Sequence, residues 1–473
     1  MATRKWILLV LCGAELLVGV DFAIVNVALP AVQKGLGFSG DGLQWVVTAL
    51  ALPFGGFLLV GGRAADLFGR KRVLVVGLAL LTASSLVAGL AVAPWMLVAM
   101  RAVQGLGSAL VAPAALSLIT TAFPEGRERE RALGVAGAVL PFGFVAGMVL
   151  GGLLTAVSWR ATMLVNVPAG ALVLLGAVRS LPADRGGSAP RRLDVPGAVS
   201  GTAALVALIY GITKIGPTGP FAGEVVVSLA AGAALGVVFL VIEARTPAPL
   251  VPLRVLVQRT VWASNVPGLI TFAVSVGVIY TLSLYLQRVL ACTPWQTGLV
   301  FVLMGLASIA AGRLAPRAIA RFGPRATLAG GLLVQAAGTV LLVLLSPNAT
   351  SLAIVLPGCG VIGFGHITSV VAFRTAATAG QPDHEQGLAT ALTNLAQQIG
   401  ASVGVAFFTA MAQSTEPAKN AEARLVSGTR DAAVLSAALL CLAALFTVVA
   451  LRGTSTRSRS QGKATRADRR VPT

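Results

Sequence analysis

Apolar residues follow one another along this chain in long runs, and short segments rich in Gly, Pro and Arg separate the runs. A helix of about 20 residues spans ~30 Å, because each helical residue rises 1.5 Å. The runs therefore predict α-helices that cross a hydrocarbon layer, with boundaries good to a few residues. We predict fourteen such spans, at residues 6–30, 43–62, 73–93, 95–123, 132–157, 161–181, 195–215, 224–242, 260–287, 295–314, 326–346, 350–378, 387–412 and 432–451.

The composition excludes an ordinary soluble protein. Of the 473 residues, 56% are hydrophobic and 11% are charged, and the mean hydropathy is +0.86, whereas soluble domains carry roughly 25% charged residues. We therefore predict an all-α polytopic membrane protein. The four cysteines have neither metal-ligand nor disulfide spacing, and no GxxxxGK[ST] phosphate loop occurs. We expect no metal, no cofactor and no enzymatic activity.

The basic residues predict how the chain is oriented in the membrane. A net charge of +19 would suggest a nucleic-acid partner in a soluble protein. With the N-terminus inside, however, 28 of the 36 Lys and Arg residues fall in inside segments, 7 fall outside, and Arg101 lies within a span. This is the positive-inside pattern. We expect both termini in the cytoplasm of a bacterium with a GC-rich genome, the protein in its cytoplasmic membrane, and no nucleic-acid partner.

The sequence contains an internal repeat. Phe68-Gly69-Arg70 is echoed by Arg321-Phe-Gly323-Pro-Arg325, and the two glycines lie 254 positions apart. Duplicated halves are typical of transporters, whose substrate path lies between them. Six spans in each half leave spans 7 and 8 as an inserted pair. We predict a 6 + 2 + 6 organisation: a first half at 1–181, an insertion at 182–259, a second half at 260–452 and a basic cytoplasmic tail at 453–473.

A basic turn, residues 62–72 (GRAADLFGRKR), joins spans 2 and 3. Its cations predict a cytoplasmic location, and its glycines permit a tight turn. Its carboxylate can interact with the N-terminus of a neighbouring helix, where the helix dipole favours negative charge. An ordinary basic inside loop is the alternative. The candidate functional residues of this turn are Gly62, Arg63, Asp66, Gly69, Arg70 and Lys71.

Charged residues inside the spans are candidate functional residues, since each costs about 2.5–3.5 kcal/mol at the centre of a membrane helix. Span 1 contains Glu15 and Asp21, which lie ~9 Å apart in height and point in different directions. Asp21 lies ~13 Å below the outer end of span 1, and Arg101 lies ~9 Å deep in span 4. Asp21 and Arg101 can therefore pair across helices 1 and 4. A static ion pair that fixes helix packing is the alternative to a functional role.

Other polar and small residues give weaker signals. Span 5 carries a glycine stripe that permits close helix packing, and packing alone would explain it. Asn394 and Gln397 can line a cavity or bond between helices, as can Asn26. His366 is either a buried core histidine or part of a proton relay. The stripe consists of Gly143, Gly147, Gly151 and Gly152.

Several of these segments resemble a known family. The turn at 62–72 resembles motif A of the major facilitator superfamily, and residues 101–107 (RAVQGLG) are similar to its motif B. Residues 21–30 (DFAIVNVALP) and 158–168 are similar to segments of its fourteen-helix drug:proton antiporters. The glycine stripe resembles the antiporter motif C, except that Met148 replaces the usual proline. The motif B candidates are Arg101, Gln104, Gly105 and Gly107.

The resemblance implies a major facilitator fold and a proton-coupled exporter of amphipathic organic compounds such as drugs or antibiotics. It implies that Asp21 takes up and releases the coupling proton, that Arg101 modulates it, and that motif A latches the cytoplasmic side. Glu15 is a second proton site, a cation attractor or a solvated cavity residue. We expect a monomer that uses the proton gradient. The alternatives are an exporter of one natural product, peptide or lipid, a non-transporting sensor or scaffold, and, because of Met148, an uptake symporter.

Overall fold

The computed structural model describes residues 2–40, 42–123, 127–181, 194–219, 221–246, 258–346, 351–378, 383–414 and 421–451. Within these ranges the regular secondary structure is helical. Nine helices are long and apolar enough to cross a membrane, and three further apolar helical segments are shorter. The helices are α1 Ala2–Leu36, α2 Trp45–Phe68, α3 Arg70–Gly89, α4 Pro94–Ala122, α5 Arg127–Val157, α6 Trp159–Leu164, α7 Asn166–Ser180, α8 Val195–Thr218, α9 Gly223–Arg245, α10 Arg259–Arg288, α11 Pro294–Leu341, α12 Leu352–Thr378, α13 Asp383–Ser414 and α14 Ala421–Ala450, with a 3-10 turn at Leu342–Leu344.

Two glycines at corresponding places of the internal repeat reverse the chain in the same way. Gly69 separates α2 from α3 with φ 100° and ψ 134°. Gly323 interrupts α11 with φ 82° and ψ 162°. Positive φ of this kind is open to glycine and strained for other residues. The two predicted spans at 295–314 and 326–346 thus lie on either side of the bend at Gly323.

The helices pack in two groups. In the first group α1 packs on α5, α4 packs on α2 and α3, and α7 packs on α3. In the second group α10 packs on α13, and α11 packs on α12 and α14. The hairpin of α8 and α9 joins these groups on one side, where α8 packs against both α2 and α13. Along α9 only 11% of the most apolar stretch is buried, so this helix presents an apolar outer surface.

We call the end of the bundle at which Ala2 and Ala450 lie the terminal end, and the opposite end the distal end. The two groups contact each other at the distal end. At the distal end the Ser283 hydroxyl donates to the backbone oxygen of Asn26 at 2.6 Å. The Gln287 amide donates to the backbone oxygen of Val27 at 2.9 Å, and Arg288 bonds Gln33. Toward the terminal end, the described parts of α4 and α5 have no extensive packing on α12. The groups are therefore closed together distally.

Candidate functional site

A buried ion pair lies inside the first helix group. Arg101 Nη1 on α4 lies 3.2 Å from Asp21 Oδ2 on α1, and the two side chains are 1% and 0% exposed. This is the pair that the depths of the two residues along spans 1 and 4 predict. Removing one partner of such a pair leaves an uncompensated buried charge, which costs about 3–5 kcal/mol. The pair is thus a strongly coupled unit.

Neutral polar groups complete the surroundings of Asp21. Its Oδ1 accepts from Asn166 Nδ2 at 2.6 Å and from Gln104 Nε2 at 3.3 Å. Gln104 Nε2 also donates to the Ser85 hydroxyl at 2.7 Å. We refer to Asp21, Arg101, Gln104, Asn166 and Ser85 as the Asp21 cluster. Its members come from α1, α3, α4 and α7, so any shift among these helices changes the hydrogen bonds of the carboxylate.

Arg101 is also tied to the backbone. Its Nε donates to the backbone oxygen of Val46 at 2.9 Å, and its Nη1 donates to the backbone oxygen of Asp21 at 3.3 Å and to Gln104 Oε1 at 3.1 Å. Desolvation favours a neutral carboxyl group, whereas the guanidinium and the amide donors favour a carboxylate. The protonation state of Asp21 therefore depends on whether Arg101 stays in place.

The local sequence explains how these groups converge. Arg101 and Gln104 are three residues apart on α4 and so share one helix face. The predicted span at 161–181 is divided at Val165, where α6 ends and α7 begins. Pro168, which lacks an amide hydrogen and crowds the carbonyl four residues earlier, accounts for the division. Asn166 thus begins α7 and reaches Asp21.

The motif glycines lie at helix crossings. A Cβ on Gly105 would come within 2.2 Å of the Leu50 oxygen of α2, and one on Gly107 within 2.8 Å of the Gly77 oxygen of α3. The stripe on α5 faces α1 along its length. A Cβ on Gly143 would lie 2.9 Å from Leu16 O, one on Gly147 would lie 2.7 Å from Val20 O, and one on Gly151 would lie 2.5 Å from Ile24 O. Gly152 faces Pro294 of α11 instead.

The turn at 62–72 is anchored by its cations. Lys71 Nζ donates to the backbone oxygens of Val178 at 2.8 Å and Leu181 at 2.7 Å, at the C-terminal end of α7. Arg70 Nη1 donates to the Ser117 oxygen of α4 at 3.4 Å. Cations at helix C-termini are favoured by the helix dipole. Gly62 and Arg63 lie in α2; the side chain of Asp66 is outside the described part of the structure.

A second polar cluster belongs to the other helix group, and its central residue is one that the sequence analysis missed. Arg374 Nη2 on α12 donates to Asn394 Oδ1 at 3.1 Å and to Gln397 Oε1 at 3.0 Å, both on α13. We refer to these three residues as the Arg374 cluster. Glu15, half-buried on α1, interacts electrostatically with Arg374 from the first group. Arg374 lies inside the predicted span at 350–378. Because it is close to the end of that span, the sequence pattern places it among the cytoplasmic charges.

His366 belongs to a separate network in the core of the second group. Gln335 Nε2 donates to the Thr271 backbone oxygen at 3.0 Å, which fixes the amide orientation. Gln335 Oε1 therefore accepts the Thr271 hydroxyl at 2.5 Å. The same hydroxyl lies 3.0 Å from His366 Nδ1 and, because it already donates to Gln335, it accepts from Nδ1. The side-chain amide of Asn26 donates to the backbone oxygens of Phe22 and Ala23 in its own helix.

Comparison with known proteins gives matches along most of the chain. The sequence pattern of the Major Facilitator Superfamily matches residues 11–405. The puromycin resistance protein pur8 of Streptomyces alboniger is 41% identical over 408 residues, which are 85% of this chain and 80% of that protein. The cephamycin export protein CmcT of Amycolatopsis lactamdurans is 37% identical over 452 residues, 95% of this chain and 93% of that protein.

Solved structures match the fold. An inward-facing, unoccupied bacterial homologue of the human lysosomal transporter Spinster superposes with a TM-score of 0.70 at 16% identity, covering 95% of this chain and 97% of that one. The D-xylose–proton symporter superposes with a TM-score of 0.67 at 15% identity, covering 95% and 98%.

Proposed function

The chain belongs to the major facilitator superfamily and is a multi-pass membrane transporter rather than an enzyme, and from this premise we propose that it exports amphipathic organic compounds, antibiotics among them, in exchange for protons. Relatives that carry the words resistance or export in their names support the direction of transport. The bacterial relatives support a cytoplasmic-membrane location. We place both termini in the cytoplasm because of the positive-inside pattern.

The observation that carries the proposal is the Asp21 cluster. Asp21 and Arg101 lie on α1 and α4, and α1 also contributes Asn26 and Val27 to the contacts that close the distal end. Opening of the distal end must therefore break contacts of the helix that carries Asp21, and we propose that this helix is displaced. A displacement that separates Asp21 from Arg101 leaves a desolvated carboxyl group, which takes up a proton. Return to the present arrangement brings the guanidinium back and expels that proton on the cytoplasmic side.

The glycine stripe and the turn at 62–72 support this cycle. The stripe removes side chains between α5 and α1, so the two helices can approach and slide with little steric hindrance. The turn holds the cytoplasmic ends of α3, α4 and α7 together through Arg70 and Lys71. Asp66 in this turn latches the cytoplasmic side when the protein opens outward. Glu15 is a second proton site or an attractor for cationic groups.

Proton exchange is tested in inside-out vesicles that carry an acid interior and a pH-gradient dye. Addition of a substrate should release luminal protons in the wild type, and Asp21→Asn should abolish the release at equal protein amounts. Asp431→Asn, which changes an exposed aspartate on α14, is the matched control and should keep the wild-type response. A full response from Asp21→Asn would move the coupling site elsewhere.

A narrower exporter of one natural product is the second candidate. The names of several relatives refer to single compounds: puromycin, cephamycin, lincomycin and actinorhodin. A panel of these compounds and of lipophilic dyes in the same vesicles separates the candidates. Proton release with several unrelated compounds supports a broad exporter, whereas release with one compound supports the narrow one. A folded protein that responds to none would favour a sensor or scaffold.

A further inference from the structure

Two opposite charges on different helix groups lie within electrostatic range of each other. Glu15 belongs to α1 of the first group, and Arg374 belongs to α12 of the second. They interact electrostatically, but no ion pair within 4.0 Å joins them. In the Asp21 cluster, by contrast, the corresponding distance is 3.2 Å. The chain thus keeps one intramembrane pair in contact and another one apart.

The Arg374 guanidinium is held in place but not satisfied. Asn394 and Gln397 both accept from Nη2, and their neutral oxygens do not compensate the positive charge. Nε is buried and has no hydrogen-bond partner. A buried donor without a partner is unfavourable, and more so in a charged group. The arrangement therefore leaves a fixed cation with donor capacity to spare.

Glu15 is the complementary case. Its side chain is half-buried, and among the described residues no hydrogen-bond donor reaches its carboxylate. It lies about 9 Å closer to the terminal end than Asp21 does, six residues earlier on α1. The Asp21 carboxylate is enclosed by Arg101, Gln104 and Asn166, so Glu15 is the carboxylate of α1 that is partly exposed.

We propose that the gap between Glu15 and Arg374 binds amphipathic zwitterions, with a ligand ammonium on Glu15 and a ligand carboxylate on Arg374. A purely cationic or anionic ligand satisfies one of these charges and leaves the other desolvated, whereas a zwitterion satisfies both. Because the charges belong to different helix groups, such a ligand also bridges the groups that must move against each other. This inference rests on the proposed export function and names the substrate class for it.

Three matched fluorescent probes test the inference. Nε-dansyl-lysine carries an ammonium and a carboxylate, its methyl ester carries only the ammonium, and its Nα-acetyl derivative carries only the carboxylate. Binding to the purified full-length protein in nanodiscs is followed by dansyl fluorescence. The wild type should bind the zwitterion at least about tenfold more tightly than either of the others, since each charge-assisted contact contributes roughly that factor.

Substitution of each charge should remove one half of the selectivity. Glu15→Gln should weaken binding of the zwitterion and of the methyl ester and leave binding of the acetyl derivative unchanged. Arg374→Gln should weaken binding of the zwitterion and of the acetyl derivative and leave binding of the methyl ester unchanged. Equal weakening of all three probes in both variants would mean that the pair acts as a latch between conformations, and would overturn the proposal. Absence of saturable binding, or no preference for the zwitterion in the wild type, would overturn it too.

Controls separate this result from misfolding and from the proposed function. Glu224→Gln and Arg317→Gln change exposed charges and should leave all three affinities as in the wild type. Gel filtration and thermal unfolding of each variant report whether it is folded. Proton release that proceeds in the vesicle assay without charge selectivity in the nanodiscs defeats this inference alone. Charge selectivity without any proton release defeats the export function instead.

Discussion

Arg101→Met should destabilise the protein because it strands the Asp21 carboxylate in a buried site. The substitution removes the 3.2 Å ion pair and the bond to Val46 O. It leaves Asp21 with only the neutral donors Asn166 and Gln104. Removal of one member of a buried pair costs about 3–5 kcal/mol in the free energy of unfolding, and we expect a loss in that range.

Asp21→Asn should cost a similar amount, because it leaves the Arg101 guanidinium without a counter-ion. The double variant should be more stable than either single one, since replacement of both partners leaves no buried charge. The interaction energy from the cycle of single and double variants should therefore be about 3 kcal/mol or more. Reversible unfolding by SDS in mixed micelles, followed by the fluorescence of the six tryptophans, measures each free energy.

The exposed pair of Arg4 and Glu128 is the matched control for this cycle. Its atoms lie 3.0 Å apart, but its side chains are 51% and 50% exposed. Exposed ion pairs contribute roughly 0–1 kcal/mol, so the cycle of Arg4→Met and Glu128→Gln should give less than about 1 kcal/mol. If the costs of Arg101→Met and Asp21→Asn simply add in the double variant, the two charges are not coupled and the reasoning is refuted.

Three further outcomes follow from the packing. Gly151→Ala should destabilise the protein and slow transport, because its Cβ would lie 2.5 Å from Ile24 O. Gly236→Ala on α9 is the control, because its Cβ meets open space. Unfolding and vesicle transport of both variants test this prediction, and equal behaviour of the two would contradict it. Lys71→Met should lower the free energy of unfolding by about 1–3 kcal/mol through the loss of two charged hydrogen bonds, and an unchanged value would contradict the anchoring role. In a cysteine-free background, Gln33→Cys and Arg288→Cys joined by a short bis-maleimide should block transport by keeping the distal end closed, and continued transport after complete cross-linking would show that this end does not open.

The sequence predicted well how deep a residue lies along its helix, but poorly which helices lie beside each other. The rise per residue placed Asp21 and Arg101 at similar heights, which is enough to predict a pair when both charges lie in one helix group. Neither the tilt nor the rotation of a helix follows from hydropathy, so the partners Asn166 and Ser85 could not be assigned. Helices also run beyond the predicted spans, as α1 does, because the backbone hydrogen bonds continue into the polar layer after the apolar run ends.

The Arg374 cluster shows a second limit of the sequence. Arg374 lies four residues before Thr378, the last residue of α12, and a cation in that position is ordinarily an interfacial residue. Only its bonds to Asn394 and Gln397, which lie on the neighbouring helix, show that it is held inside the bundle. The candidate polar residues of α13 were predicted, but the charge that gives them a role was not, because that role depends on contacts between distant segments.

The position of the α8–α9 hairpin has a consequence for the route by which lipid-dissolved compounds reach the interior. A two-group bundle has two lateral seams that open onto the acyl chains of the surrounding lipid. Here α8 covers the seam between α2 and α13 and packs against both, with the rings of Trp45 and Tyr210 in tilted contact at a centroid distance of 5.9 Å. On that side a compound that diffuses in the bilayer meets the apolar face of the hairpin instead of a cleft. The opposite seam is closed instead by direct packing of α5 on α11, so the protein is asymmetric toward its lipid annulus.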